Sequence, residues 1–472
     1  MANTYECTNC GAKYNLEQRQ CPQCYEWGTV TLLLEKAPKS KRGWETGGNG
    51  TKPISLTEIK SNDQIRIPTG IPEFDRVLGG NEIKGLVPGE VILLVGPPGI
   101  GKSTLLLSVA HTVASQNNGQ VLYCSAEESP QQISLRAKRM NIKDNNLKIL
   151  GTNELNVVID ALTNEEKYNL VVFDSLQSFY DATIEGTPGG LTQTKEIALQ
   201  LVKIAKERSI PIIIVGHVTK GAEDGKEVSY TNIAGGMVIN HIVDCVISLQ
   251  QTNDLRLLKG IKNRFGAADE IGIFIMEEKG MRSASNPEKS FWDENTLSLS
   301  GNILTVVSES ARPLLIEVQA LVNSAENQKY AQRSVTGYEI TRLRLVIAVL
   351  NKHLKNFSLN NKDIHINIVN GLQAADPTMD CSIAAAIYTS KKNIAPKRGL
   401  CIIGELGLSG EIRKGSRMES KVKTAIEMEI PLIVIPKQNI KLSNKISKSQ
   451  IIEVENLATL ITIIEENCIS TQ

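Results

Sequence analysis

The chain has 472 residues, too many for one ordinary hydrophobic core, so two or three domains are expected. Its 41% apolar and 22% charged residues are ordinary for a soluble globular protein. The net charge of +1 excludes a global electrostatic field as the basis of nucleic-acid binding, so any DNA site is a local patch.

The opening residues, Met1 to Cys7, show no basic segment followed by an apolar run, so no secretory signal is expected. The longest apolar runs, such as Leu345 to Leu350, fall far short of the ~20 residues of a membrane helix. A cytoplasmic protein without membrane contact follows. Of nine cysteines, four fall within the first 24 residues. Cys124, Cys245, Cys381, Cys401 and Cys468 are scattered singly, a pattern that suits a reducing compartment.

Residues 1–34 read as a small module ending in a strand, Thr29 to Leu34. Cys7-x2-Cys10-x10-Cys21-x2-Cys24 forms two knuckles that can present four thiolates tetrahedrally to Zn²⁺. Four thiolates leave no open coordination position, so the zinc is structural. Tyr25 and Trp27 are expected to pack into the small core rather than stack on bases. Residues 35–67, with Lys36, Lys39, Lys41 and Arg42 before Gly43, Gly47, Gly48 and Gly50, read as a solvated linker.

Over 68–282 strands and helices alternate, the mark of an α/β domain with a mostly parallel sheet. Strand Val91–Val95 leads into Gly96-Pro97-Pro98-Gly99-Ile100-Gly101-Lys102-Ser103-Thr104 and then a helix, Thr104–Gln116. That is a Walker A phosphate loop in its proper context. Its glycines let backbone amides wrap the phosphates of ATP at a helix N-terminus. Lys102 is assigned to the β- and γ-phosphates and Ser103 to Mg²⁺.

The next strand, Val121–Cys124, runs into Ser125-Ala126-Glu127-Glu128, and Ser129-Pro130 starts a helix from Gln131. Glu127 is assigned to orient the attacking water, with Glu128 as the alternative. Strand Leu170–Phe173 ends in Asp174, the Walker B carboxylate, which joins Ser103 in holding Mg²⁺. Thr192–Arg208 carries Ile197, Leu201, Ile204 and Ala205 on one helical face, ahead of strand Ile212–Val215.

His217, in Gly216-His217-Val218-Thr219-Lys220, lies just past that strand's C-terminal end, where α/β sheets place ligands. Strands near Val246–Leu249, Leu255–Ile261 and Ile271–Met276 close the domain. Lys262-Asn263-Arg264-Phe265-Gly266 follows one of them. Its two cations suit a phosphate or DNA backbone, and the competing expectation is a solvated turn.

Residues 283–310 carry little pattern and read as a linker; 311–472 read as a second α/β domain. There Leu314–Val322, Ile364–Val369, Leu400–Ile403 and Leu432–Ile435 are expected strands, with helices over Arg342–His353 and Met379–Thr389. Lys437, Lys441, Lys445 and Lys448 are expected on a solvated face, with a DNA-facing patch as the alternative.

In this order the motifs resemble the bacterial RadA (also called Sms) family. The resemblance spans nearly the whole chain, including Thr69 to Gly80, Glu127-Glu128-Ser129 and the family's own signature, Lys262 to Gly266. Gly404 to Arg413 is similar to the family's C-terminal domain, itself like the protease domain of Lon.

The resemblance implies a RecA-like P-loop ATPase core between a zinc ribbon and a Lon-protease-like domain, with ATP, Mg²⁺ and Zn²⁺. It implies an ATPase that binds single-stranded and branched DNA and drives branch migration in recombination and repair, as a ring-shaped homo-oligomer beside RecA. Lys262, Asn263, Arg264, Phe265, Gly266 and Lys220 would then face DNA or a neighbouring subunit's nucleotide, with Lys262 and Arg264 serving catalysis.

Two rivals stand beside this reading. A Lon-type peptidase needs a nucleophile and a lysine base; Thr378, in Ala375 to Asp380, and Lys421 or Lys423 fall near those places. Met379-Asp380 replaces the small residues that admit a substrate, so the domain is expected to be a scaffold. The other rival is a nucleotide-driven switch with no DNA role.

Overall fold

The computed structural model describes residues 4–7, 12–14, 19–28, 30–33, 55, 66–116, 119–164, 168–217, 236–252, 254–284, 291–309, 311–325, 331–369, 372, 376–437 and 450–471. The chain divides into two units, Met1–Asn62 and Asp63–Gln472.

In the first unit three short strands, β1 (Thr4–Cys7), β2 (Lys13–Tyr14) and β3 (Val30–Leu33), pair antiparallel in the order β2-β1-β3. Cys21 and Val30 are buried, with Ala12, Tyr14 and Cys24 packed against them. Tyr25 and Trp27, expected in this core, stand 74% and 69% exposed instead. Tyr14 takes the aromatic place in that core, and a left-handed backbone at Tyr25 (φ 59°) marks the turn there.

The second unit opens with α1 (Pro72–Leu78), β4 (Val91–Gly96), α2 (Lys102–Ser115), β5 (Gln120–Ser125), α3 (Pro130–Arg139), β6 (Leu147–Gly151), α4 (Leu155–Asn164) and β7 (Tyr168–Asp174). Then come α5 (Leu191–Arg208), β8 (Ile212–His217), α6 (Gly236–Ile242), β9 (Cys245–Thr252), β10 (Leu255–Asn263), β11 (Ile271–Glu277) and β12 (Gly280–Ser283). Strands β4 to β12 form one sheet in the order β12-β11-β10-β9-β4-β8-β7-β5-β6. The run from β9 through β6 is parallel, and the β9–β12 flank is antiparallel.

Helices cover both faces of the parallel part, which is why β4 is apolar at every position. Ile92 and Leu94 pack with Leu105 and Val109 of α2; Val91, Leu93 and Val95 pack with Ile197 and Leu201 of α5. Ser129 starts α3 with a capping box: its hydroxyl accepts from the Gln132 N–H, and its own N–H donates to the Gln132 side chain.

The last portion contains β13 (Asn302–Glu309), β14 (Arg312–Ser324), β15 (Arg333–Thr336), α7 (Ile340–His353), β16 (Lys362–Ile368), α8 (Asp380–Lys392), β17 (Ile394–Pro396) and β18 (Leu400–Ile402). It ends with β19 (Glu405–Leu406), β20 (Ile412–Arg413), α9 (Met418–Glu427), β21 (Leu432–Pro436), β22 (Gln450–Val454), α10 (Leu457–Asn467) and β23 (Cys468–Ser470). Seven of these strands form a mixed sheet, β15-β16-β14-β13-β18-β21-β22.

Strand β13 corrects the expectation of a linker over 283–310. Ile303, Leu304, Val306 and Val307 are all buried, because β13 lies between β14 and β18 near the middle of that sheet. The two sheets also share packing. Leu255, Leu257, Ile271 and Ile273 of the first belong to the same core as Ile303, Val307, Leu314 and Ile316 of the second. A buried ion pair joins α1 to β14: Arg312 Nη1 lies 2.7 Å from Glu73 Oε2, which also accepts the Ile273 N–H.

Candidate active site

The phosphate loop sits at the C-terminal end of β4, where a parallel sheet presents its ligand crevice. Gly99 (φ 75°) and Gly101 (φ 110°) take left-handed conformations that side chains resist. Gly101 has a second constraint, since a Cβ there would lie 2.5 Å from the Met276 methyl and 2.8 Å from that of Met281. Its backbone caps α2, whose first amides face the loop. Lys102 is buried, and its ammonium donates to the carbonyls of Gly96 (2.8 Å) and Pro97 (3.0 Å). Burial lowers its pKa, while the charges of Asp174 and Glu127 oppose that shift.

Asp174 ends β7 and is buried. Burial raises its pKa, and hydrogen bonds from the Tyr123 and Ser103 side chains act the other way. The Tyr123 hydroxyl donates to Oδ2 at 2.6 Å. The structure thus brings Lys102, Ser103 and Asp174 to one place, as the pattern of strand ends implied.

Glu127 and Glu128 part company. Glu127 Oε1 accepts from the Ser178 hydroxyl at 3.0 Å and the Ser175 hydroxyl, and lies 3.1 Å from His217 Nε2. The His217 contact and the serine hydroxyls, against a desolvation cost, hold this carboxyl at about 2. Glu128 turns away to Arg136 of α3, at 2.5 Å. Tyr123, Ser175, Ser178 and Arg136 were not singled out from the sequence. Only the adjacency of β5, β7 and β8 reveals them.

The Lys262–Gly266 motif lies away from this chain's own phosphate loop. Lys262 Nζ donates to the carbonyls of Asn240 (2.6 Å) and Val243 (2.7 Å), at the C-terminal end of α6. Arg264 pairs with Asp244 Oδ1 at 3.0 Å and reaches the His241 carbonyl. Asp244 Oδ2 in turn accepts the N–H of Val91, the first residue of β4.

The phosphate loop is at the other end of β4, five residues or about 17 Å away. It is Arg256, at the opposite end of β10, that touches the loop, through the Ile100 carbonyl. The motif is also part of the fold rather than a solvated turn. Asn263 Nδ2 donates to the Leu78 carbonyl, Arg66 to that of Phe265, and Gly266 packs on Gly79. Phe265 itself is partly exposed. Lys220 lies outside the described residues.

In the C-terminal portion Thr378 and Lys421 do meet. Lys421 Nζ donates to Thr378 Oγ1 (2.8 Å) and Asp376 Oδ2 (2.6 Å), and Thr378 Oγ1 donates to Asp376 Oδ1 (2.8 Å). Lys423 is exposed and pairs with Glu427. Thr378 and Lys421 are both 0% exposed, and a Cβ on Gly415 would collide with the threonine methyl at 2.2 Å. Lys437 pairs with Glu455; Lys441, Lys445 and Lys448 lie outside the described residues.

In the N-terminal unit Cys21 and Cys24 sit on one knuckle. Cys21 accepts hydrogen bonds from the backbone at Gln23 and Cys24, and the Tyr14 hydroxyl lies 3.1 Å from its sulfur. Cys10 and the side chain of Cys7 lie outside the described residues, among which no cluster of three or more metal-ligating side chains occurs. Among the described residues no helix is long and apolar enough to cross a membrane.

Residues 81–223 match the family model for an AAA domain, and residues 337–439 match that for subunit ChlI of Mg-chelatase. Among curated relatives, the DNA repair protein RadA of Bacillus subtilis is 36% identical over 457 residues, covering 96% of both chains. That of Escherichia coli K12 is 34% identical and covers 98% of both.

Among solved structures, the RadB recombinase aligns at a TM-score of 0.36 and 22% identity, over 46% of this chain and all of that one. A DnaB-like replicative helicase aligns at 0.43 and 16%, over 50% and 69%. The phosphate loop with its acid at the end of β7, two strands from β4, is the apparatus of an ATP-hydrolysing enzyme. With relatives about a third identical along nearly its entire length, this chain belongs to the RadA family of DNA repair proteins.

Proposed function

We propose that this chain is a DNA-stimulated ATPase that binds single-stranded and branched DNA and drives branch migration beside the RecA recombinase, in the cytoplasm. The coarser activity, an ATPase of DNA repair and recombination, is that of its family. The observation that supports coupling of turnover to a bound partner is the contact between Glu127 and His217. It ties the acid that would orient water to the last residue of β8, so whatever moves that strand end changes the acid's reach.

Lys102 exchanges the carbonyls of Gly96 and Pro97 for the β- and γ-phosphates, and the amides at the start of α2 complete the cradle. Ser103 and Asp174, already hydrogen-bonded to each other, would hold Mg²⁺, Ser103 as a ligand and Asp174 through water, and the ion would supply charge to offset that of the phosphates. Glu127, whose contacts favour its ionised form, accepts a hydrogen bond from the attacking water and aims it. Lys262 and Arg264 cannot reach the nucleotide bound by their own chain. Their catalytic part, and the DNA contacts of Lys262 to Gly266 and Lys220, therefore belong to the interface of a ring-shaped homo-oligomer.

Cys7, Cys10, Cys21 and Cys24 would hold one structural zinc, which would tie the two knuckles together. The Cys21–Cys24 knuckle supports this reading, since backbone amides already serve the Cys21 sulfur. The C-terminal portion is a scaffold rather than a peptidase, since its threonine and lysine are sealed from solvent.

ATP turnover with and without single-stranded DNA, followed by extension of a RecA-made joint molecule, tests the proposal. Stimulation and extension are expected. Turnover indifferent to DNA would instead mark a nucleotide switch.

A further inference from the structure

We propose that Tyr123 is a positioning residue for the magnesium site, its hydroxyl holding the Asp174 carboxylate in the one orientation that serves the metal. The inference rests on reading Asp174 as a magnesium ligand or the anchor of one.

Tyr123 lies on β5 and Asp174 at the end of β7, two adjacent parallel strands. In their register Tyr123 stands beside Val172, and Ser125 beside Asp174. Alternation along a strand puts Tyr123 on the face covered by α2, where it packs with Leu105, Leu106 and Val109. Its neighbour Cys124 joins the core on the other face.

The tyrosine ring is 1% exposed, and within that apolar layer a phenylalanine would fill the same space. The hydroxyl adds nothing to the packing, and burying it without a partner would be costly. Its partner is Asp174 Oδ2, at 2.6 Å.

The Ser103 side chain bonds the same carboxylate from the start of α2. Two hydroxyls, one from the start of α2 and one from the adjacent strand β5, thus bracket a carboxylate that is itself buried. With Oδ2 fixed by Tyr123, rotation about the Cβ–Cγ bond breaks a short hydrogen bond in a water-poor setting, so the other oxygen keeps one direction. Removing the phenol oxygen frees that rotation and leaves a buried oxygen without a donor. Outer donors of this kind are commonly worth ten- to a hundredfold in metal affinity, about what one well-placed hydrogen bond to a charged ligand supplies.

The test uses the full-length protein and equilibrium titration of a fluorescent ADP, once with excess Mg²⁺ and once with EDTA. The wild type is expected to bind more tightly with Mg²⁺. Tyr123→Phe should match the wild type in EDTA yet lose roughly tenfold of the Mg²⁺-dependent tightening, and the Mg²⁺ needed for half-maximal turnover should rise by a similar factor.

Equal loss with and without Mg²⁺ would mean that the hydroxyl supports the fold alone, and overturns the inference. So does a Tyr123→Phe protein with unchanged Mg²⁺ dependence. Asp174→Asn separates the two readings: if it keeps the full Mg²⁺-dependent tightening, the role of Asp174 falls, and that of Tyr123 with it.

Discussion

His217 Nε2 lies 3.1 Å from Glu127 Oε1, although 90 residues separate them along the chain. The contact distinguishes two adjacent glutamates, because Glu128 is engaged with Arg136 in the helix that follows. Glu127→Gln is therefore expected to bind nucleotide as the wild type does and to lose about 10²-fold or more in turnover. Glu128→Gln should stay within a few-fold of the wild type. Steady-state hydrolysis of both variants decides it, and a larger defect in Glu128→Gln refutes the assignment.

Lys262 and Arg264 carry structure as well as charge. Lys262→Ala strips two carbonyls at the end of α6 of their donor, and Arg264→Ala leaves the buried Asp244 carboxylate without its guanidinium. Each should cost about 1–3 kcal/mol of stability, visible as a lowered melting temperature before any activity is measured. Unchanged melting would return the motif to the surface role expected of a solvated turn.

The Lys421–Asp376 pair gives a sharper test of the scaffold. Lys421→Met abandons a nearly buried carboxylate and should cost about 3–5 kcal/mol. Adding Asp376→Asn should recover much of that loss. Casein should survive incubation with the wild-type protein and ATP. Cleavage that vanishes in Thr378→Ala would overturn the scaffold reading.

Glu90 makes a pH-dependent prediction. Burial, against the Val87 N–H bond, pushes its carboxyl up to about 8. Between the ordinary value near 4.5 and about 8 the folded chain holds a proton that the unfolded chain has released. Stability therefore falls as pH rises through that window, and levels off above it. Glu90→Gln keeps a carbonyl for Val87 and removes the titration. Its melting temperature relative to the wild type should climb by a few degrees from pH 5 to pH 8. A constant difference across that range would rule out the raised value.

What could be read in the sequence was whatever is local. The phosphate loop, its strand and helix, and the acid ending Leu170 to Asp174 are contiguous patterns with one meaning each. The partners of Glu127 were hidden because they depend on strand order: β8 lies beside β7, and β7 beside β5. Tyr123 looked like one more apolar strand residue, since a buried hydroxyl reveals its purpose only through its acceptor. Lys262 and Arg264 looked free because the groups that bind them, from Asn240 to Asp244, lie about twenty residues earlier. Strand β13 escaped notice because its short run of Ile303 to Val307 follows a stretch rich in serine and asparagine.

The core shared by the two sheets bears on how this chain can be taken apart. A fragment cut after residue 284 would bare Leu255, Leu257, Ile271 and Ile273, and would strand Glu73 without Arg312. Such a piece is a candidate for aggregation, not a minimal motor. The ATPase and the scaffold should melt in a single transition, and a protease that opens one should expose the other. A border that looks like a tether on paper is, in the folded protein, a weld.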